Sequence, residues 1–459
     1  MCDRYRRHPT RRTALCPTIS GVSTTSAQRA QAEPTSPDDD ALATRGRVPD
    51  WRSWILPIGI YLVIRAIGIA VLARFDVLRG VSLRDSLAAW DGKWMLAIAE
   101  HGYGGVPIDL TDARGIHSSD TAYAFFPGYP YAVGLIAKLP FVSPFAAAVL
   151  LNLVLGCVAA VGVARLGALC VRRMAGRSPM VDAVSAPDAT ASETADSADG
   201  RVVDPRRVGL YLVAIFAATP MSVVLNMAYT ETLFCVLSIW ALVGVLERRW
   251  LLAGICACLV GTVRPTAVVV IGVVMLAALI DLFGSGRSPF AGWPAVRGWL
   301  AVVISPLGYL GYLAVVWAHT GSPTGWFTIQ TQGWDTRFDW GVAAFDFVND
   351  MLVNSGEIAP VATAWIIVGT LVLVCVAIWA RLPWPVATYG VLVVASIVLS
   401  SGLMMSRPRL LLPAFVLLIP LAILFARARP ATAIAALVPI VVGSAWFGAH
   451  MLTVYPHAM

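Results

Sequence analysis

The stretch AYAFFPGYPYAVGLIAKL, residues 122–139, is apolar enough to pass for a membrane span, yet two prolines and two glycines interrupt it. Whether it crosses a bilayer decides which side every later loop occupies. If it crosses, the arginine-flanked linker at 172–207 faces outward, against the rule that basic loops stay on the cytoplasmic side. If it lies on the outer surface, or dips into it, the arginine clusters fall together inside. The second reading is the consistent one, with the N-terminus in and the C-terminus out.

Working outward, apolar runs lie at about 54–73, 145–171, 208–226, 229–246, 250–263, 265–283, 299–318, 362–380, 384–403, 409–426 and 432–450. Crossing a bilayer takes roughly 20 apolar residues. Of the 459 residues, 58% are hydrophobic and only 13% charged, against about 25% charged in a soluble domain; the mean hydropathy is +0.73. The expected fold is an all-α polytopic membrane protein of about eleven helices, with a long first outer loop that contains interfacial helices. The net charge of +7 does not indicate nucleic acid. Its basic residues gather at span ends: RYRRHPTRR at 4–12, RR at 172–173 and 206–207, ERR at 247–249 and RAR at 427–429.

Residues 1–50 are polar, rich in Arg, Ser, Thr, Pro and Asp, and carry no apolar signal-peptide core; they read as a disordered cytoplasmic tail. A low-complexity segment at 178–200 reads the same way, within the cytoplasmic linker 172–207. The transmembrane domain then runs over 51–459, with outer segments at 74–143 and 319–361. Six of the eight cysteines lie in apolar runs, and Cys2 and Cys16 lie in the tail. The CAC at 256–258 has no matching pair, so neither a disulfide framework nor a cysteine metal site is expected.

Within the first outer segment, WDGKWMLAIAEHGYGG (90–105) predicts a short helix over 91–101. Asp91 stands where a cap would, and Gly102 is a natural stop. Trp90, Trp94 and Ile98 share a face that would rest on the bilayer interface. Asp91 therefore has two readings, a helix cap or a working carboxylate. The topology brings other polar pieces to the same side: NMAYTET (226–232), Arg264 and SRPR (406–409).

Three of these stretches, WDGKWMLAIAEHGY (90–103), AFFPGYP (124–130) and TPMSVVLNMAYTETLF (219–234), resemble the PIG-V-type mannosyltransferases in order and spacing. GTVRPTAVV (261–269) and SRPRLLLPAF (406–415) continue the likeness more weakly. The resemblance covers about 54–426 and looks like that of a bacterial relative, whose acceptor does not transfer from the eukaryotic enzymes. It implies the GT-C architecture, with an acidic residue of the first outer loop serving the chemistry. It also implies a polyprenyl-phosphate mannose donor, an inverting displacement and a plasma-membrane enzyme working at the outer face on a lipid or glycan acceptor. No cofactor is expected beyond that donor, and no ligand cluster demands a metal, although acidic residues could hold Mg²⁺.

On that reading Asp91 is the general base, and Arg407 and Arg409 hold the donor phosphate by bidentate contacts. Glu231 is either a site carboxylate or a helix N-terminal acid. Arg264 either pairs with Glu231 or binds phosphate. Lys93 and His101 face water or headgroups unless they touch substrate, and Tyr103 joins the substrate-binding candidates. Arg65, inside the first span, is expected to pair with some buried acid. His319, Trp326, Trp334 and Trp340 either stack on a sugar or anchor the interface. The rival readings are a transporter or lipid flippase, against which stands the lack of an internal repeat, and a non-catalytic scaffold.

Overall fold

The computed structural model describes residues 51–182, 203–284, 286 and 288–455. The expected tail, Cys2, Cys16 and most of the linker lie outside these residues. Among the described residues the regular structure is helical, apart from one isolated antiparallel bridge between Phe338 and Ser400. Apart from the short helices Leu83–Leu87 and Pro179–Asp182, the α-helices in chain order are α1 (Arg52–Arg79), α2 (Asp91–His101), α3 (Gly128–Ala137), α4 (Pro144–Met174), α5 (Pro205–Ala217), α6 (Glu231–Leu246), α7 (Trp250–Val260), α8 (Ala267–Gly284) and α9 (Gly292–Ile304). They continue with α10 (Leu307–Thr320), α11 (Gly325–Trp334), α12 (Val342–Asn354), α13 (Ile358–Trp379), α14 (Trp384–Val398), α15 (Arg407–Leu410), α16 (Ile419–Arg427) and α17 (Pro430–Thr453).

Each of the eleven apolar runs is at least partly helical, but they are not eleven uniform spans. Among the described residues six helices or helix pairs are long and apolar enough to cross a bilayer: α1, α4, α8, α9 with α10, α13 and α17. A seventh is formed if Met404–Leu410 and Leu412–Arg427, bent by 55°, count as one broken span. Pro408, Pro413 and Pro420 lie on either side of that bend; each removes an amide donor and crowds the turn before it. Helices α6, α7 and α14 are apolar but shorter. Most of α6 is buried inside the protein, so its apolar surface is covered by neighbouring helices.

The deciding stretch holds no helix long enough to cross a bilayer. Its only α-helix, α3, has 10 residues, about 15 Å of rise against a hydrocarbon thickness of ~30 Å. It packs instead on α2 and α4. The Pro-Gly turn before it lies against the loop after α7: the Gly128 amide donates to the Thr262 carbonyl at 2.7 Å. A Cβ on Gly128 would sit 2.8 Å from that oxygen, so only glycine allows the approach.

Among the described residues the basic clusters lie close to one another. Arg165 pairs with Glu247 at 2.6 Å, Arg173 donates to the Leu246 carbonyl, Arg207 to the Ala428 carbonyl at 3.5 Å and Arg381 to the Arg177 carbonyl at 3.1 Å. The segments around residues 91, 125, 230, 264, 334 and 409 meet elsewhere, around one cavity.

Two expectations are corrected. The apolar face of α2 does not rest on lipid, because Trp94, Met95 and Ile98 are buried in a cluster with Tyr129, Val133 and Ala148 from α3 and α4. Arg65 has no acidic partner among the described residues. Its guanidinium donates to the Asn226 side-chain oxygen at 2.6 Å, the Ser222 hydroxyl at 2.6 Å and the Ala217 carbonyl at 2.9 Å. An unwound segment inside a helical bundle leaves backbone groups without helical partners, and Arg65 serves that purpose between α5 and α6.

Candidate functional site

Two acid–arginine pairs line a single cavity of about 190 Å³. Asp91 Oδ2 lies 2.6 Å from Arg409 Nη1, joining residues 318 apart in sequence. Arg409 is 8% exposed and Asp91 36%, so the carboxylate opens to the cavity while the guanidinium is enclosed. Glu231, 1% exposed, lies 2.7 Å from Arg264 Nη1. That approach lacks hydrogen-bond geometry, and neither Glu231 oxygen has a hydrogen-bond partner among the described residues. It is a charge contact, and it leaves a buried carboxylate with acceptor capacity unused. The Arg264–Glu231 pairing read from sequence is thus present, beside the same cavity as Asp91.

The backbone explains why Asp91 points there. It is the first residue of α2, not its cap; Trp90 holds the capping position, and no side chain caps the helix. Gly92 N donates to the Ala89 carbonyl at 3.0 Å, closing a tight turn with Trp90 at φ 55°, ψ −119°. That conformation is one glycine normally takes, and a non-glycine residue held there costs on the order of 1–3 kcal/mol. Gly92 lets the turn lie on the loop before α6: a Cβ there would come within 3.3 Å of the Tyr229 ring.

Tyr229, which sequence reasoning did not single out, completes the floor. The guanidinium carbon of Arg409 lies 5.1 Å from its ring centroid, within cation–π range. Tyr229 is held from behind by Asn152, fully buried on α4, whose amide donates to the Met227 carbonyl at 2.5 Å and lies 3.2 Å from the Tyr229 carbonyl. Two signals existed in the sequence, an asparagine within an apolar span and a tyrosine beside Glu231. Without the fold they could not be connected.

Arg407 is placed differently from expectation. Its guanidinium donates to the Ile397 carbonyl, to the Ser400 carbonyl at 2.5 Å and to the Ser401 carbonyl at 2.8 Å, and it does not line the cavity. It gathers carbonyls in the last turn of α14 and just beyond it, because a chain leaving a helix has acceptors to satisfy. Ser401 in turn exchanges hydrogen bonds with Arg337 and accepts none of them from the cavity. In this arrangement Arg407 braces the chain between α14 and the second outer segment, apart from the cavity where a phosphate contact was expected. Its neighbour on the next-but-one residue, Arg409, faces the cavity.

The remaining candidates separate in the same way. Lys93 is exposed and does not line the cavity. His101 is half exposed and faces only Glu100, at 4.0 Å. Tyr103 donates to the Phe125 carbonyl at 2.7 Å and stacks on Tyr123 at 4.6 Å; burial pushes its phenol well above the usual range. His319 stacks on Tyr123 at 4.1 Å and pairs with Asp120 at 3.0 Å. Trp326 is buried against Phe126, and Trp340 is 80% exposed, as an interfacial anchor would be. Only Trp334 reaches the cavity, packing edge-on to Trp94 and Phe125. Among the described residues no three His, Cys, Asp or Glu side chains are grouped to hold a metal ion.

No protein-family model and no curated protein matches the chain by sequence. Its fold is similar to that of ArnT from Cupriavidus metallidurans bound to undecaprenyl phosphate, with a TM-score of 0.46 and 12% identity over 86% of this chain and 75% of that one. It is also similar to the archaeal oligosaccharyltransferase AglB from Archaeoglobus fulgidus, in complex with an inhibitory peptide and a dolichol-phosphate. There the TM-score is 0.42 and the identity 10%, over 86% of this chain and 56% of that one.

Proposed function

We propose that this chain is a membrane glycosyltransferase that moves a hexose from a polyprenyl-phosphate carrier to an acceptor hydroxyl. The observation that carries the reading is the Asp91–Arg409 pair opening on the same cavity as Glu231 and Arg264. Charged groups enclosed in a membrane protein are expensive to maintain and mark functional sites. This set supplies both charges the reaction needs. The acceptor oxygen bonds to the anomeric carbon as the bond from that carbon to the phosphate oxygen breaks. The hydroxyl proton passes to Asp91, whose Oδ2 is fixed by Arg409 and whose other oxygen is left to receive it. The departing phosphate needs no proton, only positive charge, and the largely enclosed Arg409 supplies it beside the cavity.

Opposite-face attack in one step inverts the anomeric centre. Mannose is the sugar proposed, on the likeness of residues 90–103, 124–130 and 219–234 to the PIG-V-type enzymes. With the arginine-rich end cytoplasmic, as the positive-inside rule requires, the cavity works at the outer face of the plasma membrane. The protein reconstituted in vesicles should consume a polyprenyl-phosphate hexose and release polyprenyl phosphate, with mannose preferred. No consumption of any hexose donor by folded protein, or equal consumption by an Asp91→Asn variant, would overturn the reading.

A further inference from the structure

A second cavity, about 270 Å³, lies between the two outer segments. Its lining is unlike the first: Asp112, Asp120, Thr320, Thr328, Gln332 and Trp334 carry its chemistry. Trp334 lines both cavities, so this cleft adjoins the one that holds Asp91. We infer that the cleft binds the acceptor and that the acceptor's recognised part is a carbohydrate. The inference rests on the glycosyltransferase reading for the word acceptor, and on the cleft's own chemistry for the word carbohydrate.

The cleft is clamped in shape. Ala113 N donates to the Gly333 carbonyl at 3.1 Å, His319 meets Asp120 at 3.0 Å, and Gln330 donates to the Ala124 carbonyl at 3.0 Å. The first and second outer segments are therefore joined at three points around it. Asp112 is buried, and its Oδ1 accepts from the Arg114 and Ile116 amides, both at 2.9 Å. Its charge is matched by Arg114, at 3.3 Å. Both carboxylates thus face a basic side chain already, and no further arginine or lysine lines the cleft. That disfavours a phosphate or other polyanion.

What remains on offer is hydroxyl and amide hydrogen bonding. Gln332 has no side-chain hydrogen bond to another described residue, and the threonine hydroxyls can accept while donating to their own helices. Neutral polyols are held by such mixed donors and acceptors beside an aromatic face, and Trp334 supplies the ring. A lipid alcohol would leave these polar groups unpaired, which costs affinity. A sugar hydroxyl directed past the edge of Trp334 would enter the Asp91 cavity from the aqueous side, while the donor's chain stays in the bilayer.

Thiol protection tests this without requiring turnover. Thr328→Cys in the full-length protein, purified in detergent without a sugar headgroup, should be alkylated by a polar maleimide. Methyl glycosides of hexoses and their disaccharides should slow that alkylation relative to the native cysteines. Adding Gln332→Ala should raise the half-protecting concentration by roughly tenfold, the worth of one or two lost hydrogen bonds. Protection by inorganic phosphate or by a long-chain alcohol, with none from any glycoside, would overturn the inference. Glycoside protection in a protein that never consumes donor would keep the carbohydrate site and sink the transferase reading. Donor consumption with no glycoside protection would do the reverse.

Discussion

Replacing Asp91 by Asn separates the work of this carboxylate into two parts of different size. Asn retains an oxygen that can accept from Arg409 Nη1, which now lies 2.6 Å away, so the hydrogen bond survives and only its charge assistance is lost. That loss is bounded by the worth of a hydrogen bond to a charged group, about 1.5–3 kcal/mol, and falls toward the lower end because Asp91 is 36% exposed and water screens the pair. Catalysis is hit harder. An amide cannot take the acceptor's proton, and loss of a general base lowers turnover by about 10²–10⁴. The expected variant is folded, binds donor and is almost inert. Asp91→Glu should also be poor, since the first residue of α2 leaves no slack and a displaced base loses near-attack geometry.

Release of labelled hexose from polyprenyl-phosphate hexose is the assay, with thermal unfolding in the same detergent as the control. A double-mutant cycle with Arg409→Gln removes the remaining ambiguity. If Asp91 only fastens α2 to α15, either single variant should cost the same and the double variant no more. If it is the base, Asp91→Asn should be the worse in turnover whatever stands at 409. An Asn variant with activity within a few-fold of the parent, equally stable, would refute the reasoning.

Arg407→Ala should lower the unfolding temperature while leaving the donor KM of the surviving protein unchanged, because it strips three carbonyls of their donor and touches no cavity; a raised donor KM at unchanged stability would return Arg407 to the phosphate. Arg264→Ala leaves Glu231 buried and uncompensated, with an expected loss of about 3–5 kcal/mol, and Glu231→Gln in the same protein should recover part of it; denaturant unfolding reads both. Gly128→Ala forces a Cβ toward the Thr262 carbonyl and should displace the loop before α3, seen as reduced expression of folded protein. For orientation, Gly105→Cys should react with an impermeant thiol reagent in intact cells and Arg248→Cys should not; the reverse pattern would move the site to the other face.

Much of the architecture was legible in the residues. Each of the eleven apolar runs is at least partly helical, because hydropathy and backbone satisfaction act locally in a bilayer. The prolines of FFPGYP shortened the ambiguous stretch to a helix that cannot cross. The likeness of WDGKW to known motifs picked out Asp91, and the place of Glu231 and Arg264 at one outer boundary offered their pairing as one of two readings of Arg264. Span lengths were less legible. A run such as 250–263 is apolar whether it meets lipid or other helices, and the sequence does not distinguish these neighbours.

The tertiary structure alone decided the partners. Arg407 and Arg409 are two residues apart, with the same side chain, and they face different groups: one the carbonyls in the last turn of α14 and just beyond it, the other Asp91. No periodicity predicts that, because a four-residue helix between proline-broken turns has no settled face until its neighbours pack. The role of Asp91 was undecided between cap and base for the same reason. A cap is a local hydrogen bond, and its absence became visible only when Trp90 was found in the turn and Arg409 was found across 318 residues of chain. Composition and hydropathy set which segments enter the membrane, since each segment meets that solvent by itself. Which charges share a cavity depends on helix packing, a property of pairs of segments distant in the chain.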